Sequence, residues 1–338
     1  MKRKVSAMVS SSFRSIVLAA SIAASAAGCG SLRDDPELAA PRSEAEWRAL
    51  VADIRAFEQS IGFAPTRNFL RVDEKKAGFP LCGHVSPLYL PYSYEDPAIE
   101  WVEAQSAEEC RTIAGDADMM FAEAEAMGQS ETPVTAAMLV APLARFVYLV
   151  IHEDCHDQFD LPYGVEEALC NALGYEAMRT FGRERYGPLA TERHAMDRFA
   201  RTGATHAERV REVYGELAAL YARHQRSAIA ADALLKMRAD VFARGERRLD
   251  WHAGSMNNIW IANAITYSRH YPLMQRALDA FDRDLGRTVA FFRAVDAAKP
   301  ARARFATRGF ASDSSVEWVR AYEGAVVELI DGALAARS

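Results

Sequence analysis

From Leu143 to the C-terminus, apolar residues recur at three- and four-residue spacing, the period of an amphipathic helix. The pattern predicts helical runs near 165–180, 188–200, 204–244, 255–283 and 314–336, with breaks at Gly182, Gly187, Gly203, Gly254 and Pro300. Upstream, Ser43-Glu44-Ala45-Glu46 reads as a capping box opening a helix to about Ser60, with Trp47, Leu50, Ile54 and Phe57 on one face. Residues 61–105 are rich in Gly, Pro and aromatics and fit short strands with irregular connections. Ser106 to Glu109 reads as a second capping box, predicting a helix to about Met127. Thr132 to Val140, β-branched at its start, predicts a short strand leading into the next helix. The predicted class is mainly α: a helical bundle with a small β or irregular segment ahead of the helix that opens near Leu143.

The first residues follow a different logic. Met1-Lys2-Arg3-Lys4 is a basic start, and Ile16 to Ala27 is an apolar run ending in small residues, as in an export signal over 1–28. Ala26-Ala27-Gly28-Cys29 looks like a lipobox, where a bacterial lipoprotein is cut and Cys29 is lipidated. Gly30 rather than Asp after that cysteine favours an outer-membrane anchor facing the periplasm. Residues 29–42 read as the tether, and 43–338 as one large domain or two close lobes, 43–160 and 161–338. Removing Lys2, Arg3, Lys4 and Arg14 with the signal takes the formal charge from −6 to −10. No basic block stands out, so nucleic acid is excluded as an expected partner. In an oxidising compartment the other four cysteines form an even set. Cys82 and Cys110 flank one loop-rich segment and are the favoured pair. A Cys155–Cys170 bridge, or four free thiols, stays open.

The chemistry concentrates where the apolar run Arg145 to Ile151 enters His152-Glu153-Asp154-Cys155-His156. On a helix, positions i and i+4 share a face with Cα atoms roughly 6 Å apart. His152 and His156 are thereby placed to hold one metal ion, with Glu153 beside a bound water. The plainer alternative is a surface turn carrying two unrelated histidines, and Asp154, Asp157 and Gln158 put polar residues where apolar ones are expected. A catalytic zinc needs a third protein ligand. Val165-Glu166-Glu167-Ala168 on the following helix offers one, and adjacent helical residues diverge by about 100°, so only one glutamate faces the metal. The small residues after the acid favour Glu167. Asn171, one turn on, and Glu166 are candidates to support the ligands from behind. Of the remaining histidines, His84, His194, His206, His224, His252 and His270 show no ligand spacing and read as surface residues. His270 alone is close enough to the motifs to be considered as a substrate contact.

These residues resemble the predicted bacterial zinc aminopeptidases of the gluzincin group, which carry His-Glu-Leu-Ala-His followed by Asn-Glu-Ser/Gly-Phe-Ala-Thr. His152, Glu153 and His156 fall on the metal motif, Glu167 on the glutamate ligand, and Glu166 in place of the Asn. Asn257-Asn258-Ile259-Trp260-Ile261-Ala262-Asn263-Ala264-Ile265-Thr266-Tyr267 is similar to the family's Asn-Asn helix, and Phe281 to Pro300 continues the likeness. One of the two asparagines is expected to cap that helix. The resemblance implies a gluzincin-like fold, a Zn²⁺ cofactor, peptide substrates and Tyr267 as oxyanion donor. Asp154-Cys155 in place of Leu-Ala, Asp157, and a shorter connecting loop depart from the pattern. The functions expected are therefore a zinc-dependent envelope peptidase, an inactive metalloprotease-like lipoprotein that binds a partner, or an envelope scaffold without metal.

Overall fold

The computed structural model describes residues 43–128, 131–306 and 315–337. The export signal, Cys29 and the tether lie outside them. Helix α1 (Glu44–Ser60) begins at the expected box: Ser43 Oγ accepts from the Glu46 amide, and the Glu46 carboxylate accepts from the Ser43 amide at 2.9 Å. Trp47, Leu50, Ile54 and Phe57 are buried together on its inner face.

Five strands follow: β1 (Val72–Asp73), β2 (Phe79–Val85), β3 (Glu100–Val102), β4 (Asp118–Ala124) and β5 (Val134–Thr135). β2 is the centre of an antiparallel sheet in the order β3-β2-β4, with Cys82 opposite Val102 on one side and Phe121 on the other. β1 and β5 form a separate parallel pair. The helix expected over 106–127 is mostly absent. Helix α2 (Ala107–Ala114) stops at Gly115, whose φ of +58° lies in the left-handed region that glycine tolerates. The chain then returns as β4, which pairs with β2 along its whole length. Cys110, midway along α2, is joined to Cys82 of β2. Cross-strand pairing and burial of Met120 and Ala124 override the local helical pattern there.

Thr135 ends β5 and caps the short α3 (Ala136–Leu139), so the strand expected at 132–140 is only two residues long. α4 (Leu143–His156) follows, and all fourteen of its residues are buried. A helix covered on every side is the axis of its domain. Arg145, on that helix, is neutralised by Glu125 at 2.5 Å. α5 (Tyr163–Arg185) packs along α4, and Cys155 and Cys170 join the two.

The remaining helices are α6 (Thr191–Gln225), α7 (Ala231–Leu249), α8 (Asn258–Ser268), α9 (Tyr271–Ala280), α10 (Leu285–Ala298), α11 (Ala303–Ala306) and α12 (Val316–Ala335). Gly182 and Gly203, expected as breaks, sit inside α5 and α6. Added Cβ atoms there would meet Met196 Sδ at 2.8 Å and the Tyr175 ring, so both glycines permit close helix contact. The long run expected over 204–244 instead breaks near Ser227, at φ +57°. One hydrophobic cluster joins α1, α4, α5, α9, α10 and α12 through Ile54, Val150, Leu169, Met274, Phe292 and Ile330. A second holds α6, α7 and α8 together, and a third seats the sheet on Tyr163 and Ile259. The class is mainly helical with a small sheet, as the periodicity predicts.

The α1–α4 contact contains a carboxylate pair with a pH consequence. Glu58 is 3 % exposed. Burial first, and the Asp154 carboxylate second, push its pKa well above the usual range, which favours the protonated acid beside Asp154. In the unfolded chain a glutamate titrates near about 4.3. Between that value and the raised folded value, the folded state binds the extra proton. The stabilisation is therefore full at acid pH and is lost as pH rises through the folded pKa. Urea unfolding of wild type is expected to weaken on alkalinisation by up to about 1.4 kcal/mol per pH unit from this group. Glu58→Gln should remove that slope; parallel declines in wild type and variant would acquit Glu58.

Candidate metal centre

His152 and His156 lie one turn apart on α4, and Glu167 reaches them from α5. Their ligating atoms converge. His152 Nε2 is 3.3 Å from His156 Nε2, and Glu167 Oε2 is 3.3 Å from the first and 3.4 Å from the second. All three side chains are at most 1 % exposed. This is the one group of three or more candidate ligands among the described residues.

The second nitrogen of each ring is already committed. His156 Nδ1 donates to Glu166 Oε1 at 2.9 Å, and Glu166 Oε2 accepts from the Leu161 amide at 2.9 Å. On the other ring, Tyr148 Oη lies 3.2 Å from His152 Nδ1 and donates to Asn171 Oδ1, which can only accept. The Tyr148 oxygen must then accept from His152 Nδ1–H. Asn171 Nδ2 in turn donates to the Tyr267 carbonyl at 3.2 Å, which sets its orientation. In the neutral tautomers that these bonds select, each Nε2 turns its lone pair towards a carboxylate oxygen.

Such an arrangement needs positive charge at its centre. Burial works against an imidazolium at His156, yet the Glu167 and Glu166 carboxylates hold its pKa well above the ordinary value. Burial likewise opposes the charge on Glu167, and the imidazoles beside it pull its acid down to about 2. Around a tetrahedral ion with bonds of about 2.0–2.1 Å, ligand atoms sit about 3.3–3.4 Å apart. The separations found here match, so the donor set fits a divalent ion of zinc's size.

Glu153 follows His152 and is fully buried; its Oε2 accepts from the Gly128 amide at 2.5 Å. That contact requires glycine: a Cβ at 128 would lie 2.9 Å from His156 Cβ and 3.1 Å from Glu153 Oε2. The polar insertions in the motif point to a different neighbour. Asp154 Oδ1 accepts from Thr66 Oγ1 at 2.5 Å and Asn68 Nδ2 at 3.0 Å, and Asp157 Oδ2 accepts from the same Asn68 nitrogen at 2.8 Å. Gln158 pairs with both backbone groups of Ala64. These three residues clamp the 64–68 loop to the end of α4, and Asn68 Oδ1 accepts from the Thr132 amide.

Tyr267, on α8, brings its ring to 6.3 Å from that of His152. Asn257 caps α8 by accepting from the Trp260 amide at 3.1 Å, as expected of one of the pair; Asn258 is buried against the Pro87–Tyr89 segment. His270 is taken by Glu323 of α12 at 3.1 Å, which leaves it bound within the fold. His84, His206 and His224 are partly buried and so are not surface residues, and His224 Nδ1 lies 3.0 Å from the Ile229 carbonyl.

Two tyrosines go unnoticed in the sequence pattern. Tyr148 stands four residues before His152, a spacing that could have marked it. Tyr163 stands four residues before Glu167; it is 8 % exposed, and its hydroxyl has no hydrogen-bond partner among the described residues. Burial, and then the Glu167 charge, keep that phenol protonated far beyond its ordinary range.

Fold and site together define a mainly helical protein with a buried His-His-Glu cluster suited to a divalent ion. The chain belongs to the family described as "Putative aminopeptidase", which it matches over residues 65–307. That stretch contains His152, Glu153, His156, Glu166, Glu167, Asn171 and Tyr267. No curated protein and no solved structure matches the chain.

Proposed function

We propose that this protein is a zinc-dependent peptidase of the gluzincin type, acting at the amino ends of peptides in the bacterial cell envelope. One observation carries the reading: three lone-pair donors, with the outer nitrogen of each imidazole already engaged, stand at the mutual spacing that a tetrahedral ion requires. The family description supplies the reaction class, a peptide hydrolase.

His152, His156 and Glu167 would hold the ion, with Glu166 and the Tyr148–Asn171 pair fixing the two rings. When bound, zinc lowers the pKa of a coordinated water from about 15.7 to near 7 and polarises a carbonyl oxygen. Glu153 accepts the proton of the attacking water and passes it to the nitrogen of the departing amine. The Gly128 amide holds one oxygen of that carboxylate in place. Tyr267 or Tyr163 supplies a neutral hydroxyl donor for the developing oxyanion.

The reading of the chain as an inactive relative rests on Asp154, Asp157 and the shorter connecting loop, and the two side chains are engaged with the 64–68 loop instead of intruding on the ligand atoms. No helix among the described residues is long and apolar enough to cross a membrane. The envelope assignment therefore rests on residues 1–29, with Cys29 as the lipid anchor.

Purified protein is expected to contain one zinc per chain and to hydrolyse amino acid–reporter amides. A chelator should abolish that hydrolysis and added Zn²⁺ restore it. Wild type should fractionate with membranes and Cys29→Ser with the soluble fraction. Failure to take up zinc after reconstitution would sink the metal claim, and identical fractionation of the two proteins would sink the anchor.

A further inference from the structure

Helix α8 presents two faces to the rest of the fold. Ile261, Ala264 and Ile265 lie in the cluster shared with α6 and α7. On the other side, Ile259 belongs to the cluster of Tyr94, Met120 and Tyr163, and the Tyr267 ring lies 6.3 Å from that of His152. Asn263 stands four residues after Ile259 and four before Tyr267. At 100° per residue it points about 40° from each, between the two, and about one turn along the axis from both. Its side chain is thereby set between Tyr163, one turn before Glu167, and Tyr267, which flanks His152. Asn171 Nδ2, donating to the Tyr267 carbonyl at 3.2 Å, ties this face of α8 to α5.

Asn263 is 1 % exposed, and neither polar atom of its carboxamide has a hydrogen-bond partner among the described residues. Its polar neighbours on the helix are used by the fold. Asn257 caps α8 and donates to the Met119 carbonyl at 2.7 Å, and Asn258 Nδ2 donates to the Tyr89 carbonyl at 2.9 Å. Thr266 Oγ1 accepts from the Tyr94 amide at 2.8 Å, and Ser268 Oγ donates to the Ala264 carbonyl at 2.8 Å. Burying a carboxamide without partners is unfavourable, and an apolar side chain of the same size would fill the place at lower cost. Nothing in the fold calls for an amide here.

A carboxamide sets an acceptor and donors side by side without charge. An ion would satisfy one of the two and leave the other bare. One residue of an extended peptide satisfies both, because its N–H and C=O point to the same side, as in the hydrogen-bonded pairs of an antiparallel ladder. In a peptide cut at its amino end, the first residue alone precedes the bond, and its nitrogen is an ammonium instead of an amide. The N–H and C=O that match Asn263 then belong to a residue beyond the cleaved bond.

We infer that Asn263 holds the main chain of the substrate's leaving part, exchanging two hydrogen bonds with one extended residue, so that peptides are preferred to single amino acid amides. This rests on the hydrolase reading above. Asn263→Leu should keep its zinc. Its release of leucine from Leu-Ala-Ala should fall, chiefly through KM, by about 10-fold more than its release from a leucine reporter amide, which has no main chain past the bond. The extra loss should be the same for Leu-Val-Ala and Leu-Ser-Ala. Equal losses on peptide and reporter, or no loss on either, would overturn the inference, as would an extra loss confined to substrates carrying Asn or Gln. If the leucine variant does not fold, Asn263→Ala takes its place in the same comparison. If zinc-loaded wild type cleaves nothing, the hydrolase reading fails by itself. Binding of Leu-Ala-Ala then decides on Asn263: weaker binding to the variant supports the role, and equal binding removes it.

Discussion

Replacing Glu153 with Gln is expected to leave the zinc content unchanged and to lower kcat by about 10²- to 10⁴-fold, the range for a lost general base. The substitution is nearly isosteric. Its amide oxygen still accepts from the Gly128 amide, so the side chain keeps its place without its basicity. The site is fully buried, and an uncharged amide is no harder to bury than a carboxylate, so stability should hold or rise. The outer nitrogens of His152 and His156 are engaged by Tyr148 and Glu166. Loss of zinc with loss of activity would mean that Glu153 supports the metal. Full zinc with wild-type turnover would end its role as base.

How much of this was legible in the sequence depends on how local the signal is. The Ser43 box, the buried face of α1 and the two-histidine helix are set by residues within one or two turns, and they appear where the pattern puts them. Glu167, favoured by the small residues after it, is the glutamate that lies against both Nε2 atoms, and the 100° step of a helix lets only one of the adjacent pair do so. What sequence spacing cannot carry is pairing over long separations. Asp154 and Asp157 look like intruders until Thr66 and Asn68, 88 and 89 residues away, are brought against them. The error over 115–127 has the same origin: strand β4 exists because β2 is there to pair with it.

The Cys155–Cys170 bridge yields the second large effect, since it ties the helix bearing both histidines to the helix bearing Glu167. The chain-entropy account gives about 3 kcal/mol for closing a loop of its 15-residue separation. The Cys82–Cys110 bridge, with a separation of 28, is worth about 3–4 kcal/mol on the same account but joins β2 to α2, away from the ligands. Measured on metal-free protein, where ligand linkage does not enter, Cys155→Ala/Cys170→Ala and Cys82→Ala/Cys110→Ala should lose similar unfolding free energy. Zinc affinity should separate them. Without the inner bridge, α4 and α5 must be brought together as the ion binds, and that ordering should weaken zinc by roughly tenfold or more. Without the outer bridge the ligand helices are untouched, and affinity should stay within about twofold of wild type. Competition with a chromogenic chelator reads both. Equal zinc affinity in the two variants would show that packing of α5 on α4 holds the triad without help from the disulfide.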